Sequence, residues 1–226
     1  MEFNNRVITT VDVGEFTVWI TETHVSTWAV MAILIALALV VRIALKSFTE
    51  VPAGKQNVIE LLVEGFDNFV QSTMGKENRG FGKWYFGIFL FILAGNFSGL
   101  INLRPPTADV STTLALSIST FVIVQMSACL RSPKKYAKSF FEPFIVFFPL
   151  NVIGDLAIII SLAFRLFGNI LSGVIVLGLV YYALPPVISL AVPVPLHAYF
   201  DIFAGTIQAF IFTVLSLIFI KNKLPA

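Results

Sequence analysis

Charge is scarce in this chain. Of its 226 residues only 12% are Asp, Glu, Lys or Arg, against 57% hydrophobic, which excludes an ordinary soluble domain, where about a quarter of residues are charged. Cysteine is scarcer still. Cys129 stands alone in an apolar run beside Ser127 and Ala128, so no internal disulfide can form, and a small buried core position is favoured over a reactive thiol. The chain also lacks a phosphate-cradling Gly-rich Lys-Ser/Thr loop, a Cys/His metal cluster and any pattern for a nucleophile triad. No cofactor and no independent catalysis are expected. The net charge of +2, without a basic tract, gives no reason to expect nucleic acid. No basic segment precedes an early apolar core, so neither a cleaved signal peptide nor an Arg-rich transit peptide is expected.

What the chain has in abundance is apolar runs of membrane length, and these predict an all-α polytopic membrane protein forming a single integral membrane domain over residues 1–226. Residues 1–24 form an acidic polar head, with Glu2, Asp12, Glu15 and Glu22 against Arg6, and His24 at the membrane edge. The first span covers 25–46, with Trp28 near one interface and Arg42 and Lys46 free to snorkel out at the other. Residues 54–74 change pattern. Val58, Leu61, Leu62, Gly65, Phe66 and Phe69 make one apolar face and Lys55, Glu60, Glu64 and Asp67 mostly the other, which reads as an amphipathic helix on the membrane surface or against a partner.

A helical hairpin follows over 82–130. Its first arm carries Asn96; Arg104-Pro-Pro-Thr-Ala-Asp109 breaks the helix, because each proline lacks an amide hydrogen and disfavours helical geometry before it. Asp109 or Ser111 then caps the second arm. Arg131, Lys134, Lys135 and Lys138 form a basic link, and Pro143 and Pro149 punctuate the approach to a run from Leu150 to Ala183. Those 34 positions extend about 51 Å at 1.5 Å per residue. Spanning a hydrocarbon layer of about 30 Å with a straight helix of that length needs a tilt of roughly 54°. The region 142–220 is therefore expected to hold a pair of long helices, strongly tilted or bent, separated by Pro185 and Pro186, with Val187 to Ile220 as the second. Twelve of the fifteen Lys and Arg residues fall on one side of this layout, which predicts five crossings, the N-terminus outside and the C-terminus in the cytoplasm.

Between Glu142 and Lys221 the only formally charged residues are Asp155, Arg165 and Asp201. A guanidinium at mid-membrane costs about 2.5–3.5 kcal/mol on insertion scales and cannot lose its proton. Arg165 is thus a fixed cation that can hold an anion or repel a cation but cannot carry a proton. Ser161, Arg165, Asn169 and Ser172 share one narrow helical stripe, away from Phe164, Leu166 and Phe167. On the last run Asp201, Gly205 and Gln208, spaced by four and three, share another. Two readings stand: an internal Arg165–Asp201 salt bridge that satisfies both stripes, or a carboxylate beside a water-filled passage that exchanges protons. His197, one turn from Asp201, tunes that carboxylate or sits at the interface, the interface being favoured.

Three islands keep their order from roughly residue 80 to the C-terminus: Pro105-Pro-Thr-Ala-Asp109 after Asn96, Arg165-Leu-Phe-Gly-Asn169 after Ser161-Leu162, and Gln208-Ala-Phe-Ile-Phe212. On these residues the chain resembles subunit a of the F-type rotary ATP synthase, of bacterial type. The resemblance implies a stator subunit of the bacterial plasma membrane, with the c-subunit ring, the b-subunit peripheral stalk, the rest of the F1Fo complex and membrane lipid as partners. In that family an ion enters by one half-channel, rides a rotor carboxylate round and leaves by another, and the arginine matched by Arg165 separates the two. Asn169 and Gln208 match its polar neighbours, and Ser172 extends the stripe. The chain departs from many members at Val174, where they have an acidic residue, and at Asp201, where they have histidine. Asp201 is then the expected inlet relay, and Asp155 either lines the exit path or is a helix-start carboxylate. Whether H⁺ or Na⁺ is carried stays open at this level. A secondary ion transporter, and a structural subunit of another membrane complex, are the alternatives.

Overall fold

The computed structural model describes residues 7–13, 16–44, 54–101, 103–185, 188 and 191–224. Glu2, Arg6, Glu15, Leu45, Lys46, Pro186 and Val187, which enter the expectations above, lie outside them. The chain divides into two compact units, Met1–Pro106 and Thr107–Ala226. Among the described residues five helices are long and apolar enough to cross a membrane, in agreement with the five expected crossings.

The first unit begins with an addition to the all-α expectation. Strands β1 (Val7–Val13) and β2 (Phe16–Thr21) pair as an antiparallel hairpin with Val11 opposite Val18. Runs of β-branched residues favour strand geometry, so the acidic polar head carries a hairpin. The hairpin runs directly into α1 (Glu22–Ala44), where the Thr21 amide and hydroxyl meet His24 Nδ1 at 3.3 and 2.7 Å. One stripe of α1, Thr23, Ser26 and Val30, is buried, and most of the rest of its apolar surface is exposed, as suits a helix facing lipid.

Helix α2 (Lys55–Met74) serves two surfaces. Phe66 packs on Phe86 and Phe89 of α3 (Phe81–Phe97), with ring centroids 5.0 and 5.8 Å apart, and Val70 and Met74 are buried. Val58, Leu61 and Leu62 remain exposed nearer its start, the arrangement of an amphipathic helix whose second half is docked and whose first half offers apolar surface. Asp67 receives two bonds from the Arg79 guanidinium at 2.9 and 2.7 Å, tying α2 to the turn before α3. Gly95 lies against the Pro106 ring, which seats the proline loop on α3.

The second unit opens as expected at Asp109, whose carboxylate accepts from the Ser111 amide at 3.0 Å and caps α4 (Val110–Arg131). The buried stripe of α4 is Thr113, Ser117, Thr120, Val124 and Ala128. Small and hydroxyl-bearing side chains at this spacing allow the close helix approach that membrane packing relies on, and α4 packs here against α6 and α8. Cys129 is exposed, not buried as its surroundings suggested: it falls beside the stripe, one residue past Ala128.

The basic link forms the short helix α5 (Pro133–Ser139). Asn151 then donates its side-chain amide to the carbonyls of Phe140 and Glu142 at 2.9 and 3.1 Å, holding the connection against α6 (Phe148–Ala183). That helix runs for 36 residues with Pro149 in its first turn, and no turn of another pitch interrupts it. The last run comprises α7 (Pro193–His197), a π-helical stretch Ala198–Ala204 and α8 (Gly205–Lys223). Gly173 of α6 marks the close approach between these runs, since a Cβ there would meet Phe200 at 3.2 Å.

Candidate functional site

The candidate residues lie on α6 and on the run from α7 to α8, all within the second unit. Arg165 is exposed. Its one hydrogen bond given by the structure is a long 3.5 Å donation from Nη2 to Ser161 Oγ, the i−4 neighbour that the helical stripe puts beneath it. Gly168, on the same stripe, meets nothing within 4 Å of a built Cβ, so the surface beside the guanidinium is open and small. Ser172 is exposed and bonds back to the Asn169 carbonyl at 2.8 Å. Asn169 reaches across to the last run, donating to the Ala204 carbonyl at 3.5 Å.

The expected stripe of Asp201, Gly205 and Gln208 is buried throughout. The internal salt bridge is not formed, because among the described residues Arg165 takes part in no ion pair and the Asp201 carboxylate is engaged elsewhere. Asp201 Oδ2 lies 2.6 Å from His197 Nδ1, and His197 Nε2 lies 3.2 Å from the Tyr181 hydroxyl of α6. His197, expected at the interface, bonds the carboxylate four residues on, across the junction of α7 and the π-helical stretch. The Asp201 turn is π-helical, a local widening that recurs at functional sites. Gln208 is 6% exposed, and its Nε2 finds no protein acceptor among the described residues. The same holds for the buried hydroxyls of Ser117 and Thr120 on α4. Buried donors without protein partners are uncommon in folded chains.

Asp155 belongs to a different cluster. It is 8% exposed and accepts from Lys223 Nζ at 2.7 Å and Gln125 Nε2 at 2.9 Å. The ion pair joins the start of α6 to the end of α8. Seven residues into α6, Asp155 is too far along to be a helix-start carboxylate, so that alternative is set aside. Asp155 and Lys223 line a cavity of about 540 Å³ with Lys135, Tyr136, Asn151 and Asn222. Burial, and next the Asp155 carboxylate, push the Tyr136 phenol above its ordinary value. Sequence reasoning missed Lys223 and Gln125 here and Tyr181 at the other end, since their partners stand 68, 30 and 16 residues away.

A stability effect follows from this cluster. Lys223→Met strips a nearly buried carboxylate of its only cation given by the structure, a change that costs about 3 kcal/mol, and is expected to lower the melting temperature of the detergent-purified complex. Lys223→Arg keeps the pair and the double variant Asp155→Asn with Lys223→Met removes both charges, so both are expected to melt close to the parent. Equal melting of Lys223→Met and the parent would show that the pair contributes nothing.

Comparison with known proteins places these residues in a family context. A family model described as the ATP synthase A chain matches residues 24–221. The ATP synthase subunit a of Moorella thermoacetica is 35% identical over 202 residues, covering 88% of this chain and 89% of that one. The sodium ion specific ATP synthase subunit a of Propionigenium modestum is 33% identical over 222 residues, covering 91% and 74%. That of Trichlorobacter lovleyi is 36% identical over 206 residues, covering 88% and 86%.

Proposed function

The chain belongs to the ATP synthase subunit a family, and on that premise we propose how its residues guide an ion past the rotor. It is an integral membrane protein and a non-catalytic, ion-path subunit of the stator; the family sets aside the secondary transporter and the purely structural subunit. The observation that carries the reading is Arg165: a permanent cation in the middle of a 36-residue apolar helix, exposed, and in no ion pair among the described residues. A charge so placed needs a partner, and a carboxylate on a c-subunit ring supplies one from outside the chain. Arg165 attracts that carboxylate in its ionised form, favours release of the carried ion and offers no proton of its own. At about 2.3 kcal/mol per charge per 100 mV, the membrane potential turns the rotor only while direct leakage is closed, and the guanidinium closes it.

Asn169 and Ser172 form the polar flank of that contact. Asp201 and Gln208 line the inlet path, and Asp155, at the end where Lys223 and Lys135 cluster, lines the exit. By the positive-inside rule that end is cytoplasmic and the N-terminus outside, in the plasma membrane of a bacterium, with the b subunits of the peripheral stalk as further partners. At about 54 Å, α6 fits a layer of about 30 Å only when it lies aslant, which lays a long face along the ring.

Disulfide trapping tests the assignment of the face. In a Cys129→Ser background, Ser161→Cys and Gly168→Cys are expected to cross-link to a cysteine placed beside the c-subunit carboxylate, whereas Leu166→Cys, fully buried in the chain, is not. Cross-linking from Leu166→Cys alone, or from none of the three, would reject the Arg165 stripe as the rotor face.

A further inference from the structure

We propose that His197 is a proton-exchanging residue of the inlet path, held by Tyr181 and loading Asp201, and that the ion taken up there is a proton. The inference rests on the stator reading and adds the residue and the cargo. Three side chains make a continuous chain from the end of α6 inward: the exposed Tyr181, the His197 side chain at 27% exposure and the Asp201 side chain at 12%. The contacts are 3.2 Å from the Tyr181 hydroxyl to Nε2 and 2.6 Å from Nδ1 to Oδ2. They connect accessible surface to a buried carboxylate without a break. The titratable groups that face His197 are Asp201 from its own helical run and Tyr181 from α6.

The chemistry follows from the two nitrogens. In the neutral ring, Nδ1–H donates to the Asp201 carboxylate and Nε2 presents its lone pair toward the Tyr181 hydroxyl. A hydronium from the outer solution gives its proton to Nε2, forming an N–H bond there and leaving water. The imidazolium then breaks its Nδ1–H bond as an O–H bond forms on Asp201 Oδ2. One proton has moved from solvent to the carboxylate, and the ring is neutral with hydrogen on Nε2. Asp201 passes its proton to the rotor acid, and the imidazole returns to its first tautomer through water, one proton leaving Nε2 as one arrives at Nδ1, with no net proton gained or lost. A sodium ion cannot travel this way, because an imidazole nitrogen flanked by one carboxylate and one phenol lacks the cage of hard oxygen ligands such a cation needs. Tyr181 is a positioning residue in this scheme, fixing the ring so that Nδ1 stays on the carboxylate.

The test uses the whole F1Fo complex in sealed vesicles, comparing parent, His197→Ala, His197→Gln and Tyr181→Phe for ATP synthesis driven by an imposed gradient. Both His197 variants are expected to lose about tenfold or more, a modest share of what a positioned proton-transfer group can contribute, with 4-methylimidazole outside restoring part of the rate of His197→Ala. The parent's dependence on outer pH should flatten in both. His197→Gln discriminates, since glutamine still donates a hydrogen bond to Asp201 but exchanges no proton: parental rates in this variant would overturn the proposal. Tyr181→Phe is expected to fall severalfold, by loosening the ring. A parent that makes ATP on a sodium gradient without a proton gradient would also overturn it, yet leave the stator reading standing. A parent driven by neither gradient would instead reject the stator reading itself.

Discussion

Arg165→Ala is expected to abolish gradient-driven ATP synthesis while the complex still assembles. The first half follows from electrostatics. Two unit charges about 4 Å apart at an effective dielectric near 20 attract by about 4 kcal/mol, so neutralising position 165 removes roughly three orders of magnitude of preference for an ionised rotor carboxylate. The carried ion then stays bound as the rotor passes, and nothing separates the two paths. Passive ion conduction through membrane sectors stripped of the nucleotide-binding part is expected to rise. The second half follows from the structure: Arg165 is exposed and, among the described residues, bonds only at 3.5 Å to Ser161. Its removal therefore strands no buried partner and relieves an insertion cost of about 2.5–3.5 kcal/mol. Arg165→Lys keeps a charge but shortens the reach and replaces a planar fork with a point donor, and is expected to recover little coupled synthesis. Purified Arg165→Ala complex that still makes ATP at the parental rate, or a complex that fails to assemble, would contradict the assignment.

That single exposed cation was legible because its cost was legible. A lone arginine in an apolar run stands out by composition, and helical spacing alone sets Ser161, Asn169 and Ser172 beside it. The Asp109 cap was equally visible, since a short carboxylate after two prolines has a local partner two residues on. The spans were visible for the same reason, their signal being carried within each segment. What spacing could not supply was choice among distant partners. Charge complementarity suggested that Arg165 and Asp201 would meet, yet His197 lies one turn from the carboxylate and takes it, leaving the arginine outward. The Lys223–Asp155 pair joins the ends of two helices 68 residues apart, and no local pattern points to it. In the hairpin the signal is local too: Val-Ile-Thr-Thr-Val and Phe-Thr-Val-Trp-Ile are rich in β-branched and aromatic residues, a pattern that the acidic charges of the polar head mask.

The outward arginine and the engaged aspartate divide the work between two helices, and Asp201→Asn separates their contributions. Asparagine preserves the size of the side chain and its Oδ1 still accepts from His197 Nδ1–H, so packing around the π-helical stretch and assembly of the complex are expected to persist. What it cannot do is hold a proton. Synthesis driven by an imposed gradient is expected to drop about a hundredfold, in the lower part of the range for a group that transfers protons, with ATP hydrolysis by the detached nucleotide-binding part unchanged. Unlike Arg165→Ala, this variant keeps the cation between the two paths and should not become leaky. The pair of readouts, synthesis and passive conduction, therefore assigns each residue its role: both lost and leaking for the arginine, lost and tight for the aspartate. Parental synthesis in Asp201→Asn would remove it from the path, and a leaky Asp201→Asn would mean that the carboxylate helps to seal the paths instead of feeding one of them.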